Sequence, residues 1–151
     1  MSYNETLKEH AINEFRYLHS EVKNLLDAKD EKEYDEKVNY FYYKNPFNST
    51  ESNVEKELIV FTKCGHIIQT KSVYDEGNEF NKIDISVLSI RDINRIDFNT
   101  NLNGYSTDKN LTIIFNNLNT IELKSTDIND NWKYSNSMQI QEIAKFLLKE
   151  I

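Results

Sequence analysis

The chain has 151 residues, the size of one ordinary domain, and its 38 % hydrophobic and 12 % aromatic content supplies apolar surface for a core without disulfide staples. A net charge of −7, from 25 acidic against 18 basic residues, argues against a general partner of DNA, RNA or anionic lipid. The single cysteine, Cys64, excludes an intramolecular disulfide and a Cys-rich zinc site, and three glycines leave little material for a phosphate-cradling loop.

No basic-then-apolar leader opens the sequence, and no run approaches the roughly 18 apolar residues of a membrane span, so a cytoplasmic protein without membrane insertion is expected. The first element is an amphipathic helix from about Asn4 to Ala28. At about 100° per residue, Leu7, Ala11, Ile12, Phe15, Leu18, Val22, Leu25 and Leu26 share one arc of about 140°. The charged stretch Asp27 to Glu33 holds a break. A second helix then presents Tyr34, Val38, Phe41 and Tyr42 on one side and ends at Pro46, whose ring disfavours helix in the residue before it.

Asn45 to Asn53 is polar and reads as a linker, after which the apolar period changes from 3.6 to 2. Leu58 to Thr62 and Ile67 to Tyr74 are partner strands joined by Cys64-Gly65, where glycine supplies a positive φ. A loop spans Asp75 to Asn81, and Ile83, Ile85 and Val87 alternate in a third strand. A short turn through Ile90 and Ile93 leads to a fourth strand ending near Phe98, with a loop from Asn99 to Asn110. Leu111 to Phe115 and Ile121 to Lys124 form a hairpin turning at Asn116 to Asn119. The closing helix, from about Ser137 to Glu150, carries Ile140, Ile143, Ala144, Leu147, Leu148 and Ile151 on one arc, with Ser135, Asn136 and Ser137 as N-cap choices.

Helices first, then about six antiparallel strands, then one amphipathic helix give an α+β fold. A single domain over 1–151 is expected, with 1–44 a helical extension and 54–151 the sheet plus helix.

From Ile83 onward, a strand, the corner Ile90, Ile93 and Ile96, a strand at Phe98, the Leu111 to Lys124 hairpin and the helix from Ile140 follow in an order that resembles the second half of a bacterial PH-like or GRAM-like domain. The whole chain also resembles a family of small proteins from low-GC Gram-positive bacteria and their phages, with a domain of unknown function. The resemblance implies a PH-like sheet or partial barrel with a capping helix, a scaffold that usually has seven strands. It carries lipid, peptide and protein recognition alike, so it does not by itself name a function.

Candidate chemistry is sparse. His10 and His19 are nine residues apart on one helix and point about 180° from each other, so they cannot share an ion. His19, at the edge of the apolar arc, suits a half-buried side chain. Asp127, Asn129 and Asn131 mimic the start of a calcium loop, but Trp132 and Met138 stand where the sharp turn needs glycine and the ion needs a bidentate glutamate. No metal and no cofactor are expected. Cys64 near His66 is the one nucleophile–base candidate, with no orienting group in sight. Asp92, Asp97, Glu122 and Asp127 read as charges on outer strand faces.

Lys63, Lys71, Arg91 and Arg95 are scattered cations rather than a phosphate cradle, so a phosphoinositide-type lipid is not expected. The surplus lies in aromatic residues. Tyr40 and Tyr43 point away from the apolar face of the second helix, Phe47 follows Pro46, and Phe146 lies off the arc of the last helix. These four residues are the expected partner surface. The expected function is a non-catalytic binding module acting through a protein partner or by self-association. An intracellular inhibitor or immunity-type protein of a phage-linked kind is the alternative, followed by a Cys64-dependent enzyme or a lipid binder.

Overall fold

The computed structural model describes residues 5, 6, 9, 15–45, 56–75, 80–103, 106–128 and 130–151. The fold is α+β. Helices α1 (Arg16–Leu25) and α2 (Glu31–Lys37) precede strands β1 (Val38–Lys44), β2 (Lys56–Thr62), β3 (His66–Asp75), β4 (Phe80–Ser89), β5 (Ile93–Asn103), β6 (Ser106–Phe115) and β7 (Thr120–Lys124), and α3 (Lys133–Glu150) closes the chain. Among the described residues seven strands form two sheets, in the orders β1-β2-β3-β4 and β5-β6-β7, in place of the six strands of one sheet or partial barrel read from the sequence. The chain divides into two compact units, Met1–Leu88 and Ser89–Ile151.

In the first unit, α1 buries Phe15, Leu18, His19 and Val22 and packs on β2 and β3. Leu25, at the margin of that arc in the last turn, is exposed. Leu7, Ala11 and Ile12 lie outside the described residues. The helix stops in a Schellman arrangement: Ala28 N–H donates to the Lys23 carbonyl and Asp27 N–H to the Asn24 carbonyl, with Asp27 at φ 54°. The break expected between Asp27 and Glu33 is therefore present. Asp30 restarts the helix as N-cap, its carboxylate accepting from Glu33 N–H at 2.8 Å.

The second helix ends at Lys37 rather than at Pro46. Positions 34, 38, 41 and 42 fit a helical period, but the run Tyr40, Phe41, Tyr42 and Tyr43 also suits a pleated strand buried on both faces. The strand wins because it pairs antiparallel with β2, Tyr43 opposite Leu58 and Tyr42 opposite Ile59. Residues 38–44 thus belong to the sheet and not to a helical extension. Both faces of β2 are buried along Leu58, Ile59, Val60 and Phe61. At the β2–β3 turn Gly65 has φ +88°, and a side chain there would meet nothing within 4 Å, so glycine is required by backbone conformation alone.

In the second unit, Leu111, Ile113 and Phe115 of β6 and Ile121 and Leu123 of β7 share a buried face. That face meets Ile140, Ile143, Ala144 and Leu147 of α3. Burying each of the larger side chains stabilises by roughly 2 kcal/mol. Leu148 and Ile151, expected on the same arc, are exposed: Leu148 lies about 90° from the centre of the four buried residues and Ile151 follows the last helical residue. The helix begins four residues earlier than the expected Ser137. Its N-cap is Trp132, so Ser135, Asn136 and Ser137 fall inside it. Asn136 and Ser137 are buried instead and tie the helix to the end of β7. Ser137 Oγ lies 2.6 Å from Ser125 Oγ, and Asn136 Nδ2 donates to the Lys124 carbonyl at 3.2 Å.

Of the loop expected from Asn99 to Asn110, residues 99–103 and 106–110 are strand. β5 and β6 pair from Ile93 opposite Phe115 to Asn103 opposite Ser106, while β7 pairs with β6 only from Asn110 to Ile114. A two-stranded ribbon therefore runs past the end of β7.

Candidate functional site

The aromatic residues singled out from the sequence differ in their exposure. Tyr43 is fully buried, because in a strand its side chain lies with Phe41 on the face under α1 rather than on the outside of a helix. Its ring meets Phe15 edge-on at 5.2 Å. Tyr40 and Phe146 are half-buried. Phe47 lies outside the described residues.

Tyr43 instead belongs to a buried polar cluster. Its hydroxyl is 3.2 Å from His19 Nε2, and the Tyr34 hydroxyl is 3.3 Å from His19 Nδ1. His19, expected to be half-buried, is buried because both ring nitrogens have partners. A neutral imidazole offers one N–H and one lone pair, so one tyrosine donates to the ring and the other accepts from it. Phe41 closes the cluster, 5.3 Å from Tyr34 and 5.5 Å from His19. Burial, reinforced by the charges of Glu31 and Asp35, pushes the Tyr34 hydroxyl well above the usual tyrosine range, so its proton is retained. The cluster joins α1, α2 and β1 and serves cohesion.

The β2–β3 turn does bring Cys64 and His66 together, with Sγ 3.2 Å from Nδ1. Thr62 organises the turn. Its Oγ1 accepts from His66 N–H at 3.0 Å, lies 3.2 Å from the His66 carbonyl oxygen, and is also 3.2 Å from Cys64 Sγ. A nucleophile needs a base oriented by a third group and donors for a developing oxyanion. The hydrogen bonds here run within the turn itself, and Cys64 and His66 are both exposed.

Three of the acidic candidates meet a base or a backbone donor. Asp97 Oδ2 lies 3.6 Å from Arg95 Nε, Glu122 Oε1 lies 3.4 Å from Lys124 Nζ, and Asp127 accepts from Lys124 N–H at 2.8 Å. That last bond spends on a turn the carboxylate that opens the calcium-like motif. Lys63 and Arg91 are exposed and Lys71 is half-buried. Among the described residues no group of three His, Cys, Asp or Glu converges as metal ligands, and no helix is long and apolar enough to cross a membrane.

What the sequence reading missed is the β5–β6 ribbon. Within its sheet β5 is an edge strand of eleven residues, so among the described residues one row of its backbone N–H and C=O groups has no neighbouring strand in that sheet. The usual edge protections are thin: it has no proline and no lysine, and a bulge only near Asn94. Ile96, Phe98, Thr100 and Leu102 share one face, with Phe98 40 % and Leu102 76 % exposed. Lys109 lies across this face, its Nζ 5.7 Å from the Phe98 ring centre and 3.1 Å from Thr100 Oγ1. The alternation of Ile96, Phe98 and Leu102 was a usable signal, masked by asparagines that read as loop. Compared with known proteins, the chain matches no family model, no curated protein and no solved structure.

Proposed function

We propose that this protein is a non-catalytic binding module that acts through protein–protein contact, and that the open edge of β5 with its ribbon is the contact surface. The observation that carries the reading is the eleven-residue edge strand bearing Phe98 and Leu102 in solvent. An extended segment added to such an edge gains main-chain hydrogen bonds, while the exposed side chains give selectivity. Seven strands and a closing helix also support a PH-like scaffold, whose business is recognition.

The test compares the wild-type chain with Leu102→Glu and with the pair Phe98→Thr and Leu102→Glu, each immobilised and exposed to native-host lysate and to the free chain itself. Thermal melts verify that the variants are folded. The expected result is that protein retained by the wild type is released by the variants. Retention of the same proteins by both variants, or retention of only a lipid or small molecule by the wild type, overturns the reading.

A further inference from the structure

Resting on that reading, we infer that the strand received by the β5 edge is β5 of a second copy of this chain, paired antiparallel about a two-fold axis at Ile96. The argument is one of charge and register. Each copy carries −7, so two copies repel except where the surface is locally balanced. β5 is balanced, with Arg95 and Asp97 as its two charged residues.

Those two stand on either side of Ile96 and on one face of the strand, with side chains 66 % and 49 % exposed. Within one copy they can reach each other only along the strand, at 3.6 Å. Antiparallel pairing across a two-fold at Ile96 sets Arg95 opposite Asp97 of the second copy, and Asp97 opposite its Arg95. Directly opposite residues have Cβ atoms about 5 Å apart, the spacing at which unlike charges stabilise and like charges oppose pairing.

The same register sets Ile96 against Ile96 of the second copy on the other face. It also brings Phe98 of each strand opposite Asn94 of the other, where the bulge ends the regular ladder. An isologous contact of this kind closes at two copies, which prevents an open edge from recruiting further strands. A strand of unrelated sequence would find no such matched pair, and a strongly basic segment would be drawn to more acidic parts of the chain.

The experiment is a charge exchange read by sedimentation equilibrium of the full chain over a range of concentrations. The wild type is expected to show a monomer–dimer equilibrium. Arg95→Asp alone and Asp97→Arg alone each place like charges opposite one another twice per dimer, and each is expected to weaken dimerisation at least about tenfold. The double exchange, Arg95→Asp with Asp97→Arg, restores the unlike pairs and is expected to return the dissociation constant to within about threefold of the wild type.

Both residues are exposed, so folding of the variants is preserved, and thermal melts check this. A wild type that stays monomeric overturns the inference. So does a dimer indifferent to the single reversals, or one that the double exchange fails to restore. If the wild type is monomeric yet a different protein is retained by it and released by Leu102→Glu, self-pairing falls while the binding-module reading stands.

Discussion

Two residues carry local strain or loss that a single substitution should relieve. Leu118 sits at φ 71° in the β6–β7 turn, where Leu118 N–H donates to the Phe115 carbonyl and Phe115 N–H to the Asn119 carbonyl. A three-residue hairpin loop of this kind places its last residue in the left-handed region, which suits glycine or asparagine and costs a leucine about 1 kcal/mol. Leu118 is also exposed, so its side chain gains little burial in return. Leu118→Asn is expected to raise stability by roughly 0.5–1 kcal/mol, read from urea denaturation at unchanged m. The sequence marked this turn from its asparagines but gave no hint of which residue takes the positive φ, since leucine is the least expected choice.

Thr70 presents the second case. It is fully buried, and its hydroxyl has no hydrogen-bond partner among the described residues. A buried hydroxyl without a partner costs about 1–3 kcal/mol. Valine has nearly the same shape and no such group. Thr70→Val is therefore expected to stabilise the protein by about 1 kcal/mol or more, seen as a higher denaturation midpoint, whereas an unchanged or lower midpoint would mean that the hydroxyl is satisfied.

At the scale of elements, the connection between α1 and α2 is where charge and backbone meet. Glu33 Oε2 accepts from Lys29 N–H at 3.0 Å and Glu33 Oε1 lies 3.3 Å from Lys37 Nζ, while Lys37 Nζ donates to the Leu26 carbonyl at 2.7 Å. The Lys29 N–H first, and the Lys37 ammonium after it, hold the Glu33 carboxyl below its ordinary value of 4.5. A carboxylate with a lowered folded pKa contributes stability that is present above 4.5 and is lost as pH falls through the folded value. Glu33→Gln removes a titrating group, so the variant's loss of stability between neutral pH and acid should be smaller than that of the wild type. Parallel pH profiles of denaturation midpoints check this.

The same segment shows how far the sequence could be read. Asp30, with Glu33 three residues on, is a legible N-cap signature. The change from helix to strand at Val38 was not legible, because positions 34, 38, 41 and 42 satisfy a helical period by coincidence. Only pairing with β2, a non-local interaction, settles the conformation there.

Across the whole molecule, readability follows locality. Gly65, the alternation in β6 and the stripe of α3 are contained in short windows, and each is present, although β6 and α3 both begin earlier than expected. The ribbon did not: Asn99, Asn101, Asn103 and Asn110 are loop formers in isolation, and their strand state depends on register with residues across the ladder. Tyr43 is buried for a related reason, since its outward placement was inferred from the wrong local period.

Each sheet nonetheless has an apolar interior strand flanked on both sides, and this should govern how the molecule opens. β2 lies between β1 and β3 with both faces buried, and β6 lies between β5 and β7 with Leu111, Ile113 and Phe115 under α3. Thr100, Asn101 and Leu102, by contrast, are exposed on an edge strand. Native-state hydrogen exchange is expected to find the amides of Leu58–Phe61 and Leu111–Phe115 slowest, by about a thousandfold or more over those of 100–102, because the central strands exchange only through large-scale opening. Ribbon amides as slow as those of β2 would mean that the edge is already covered in solution by a strand supplied from elsewhere.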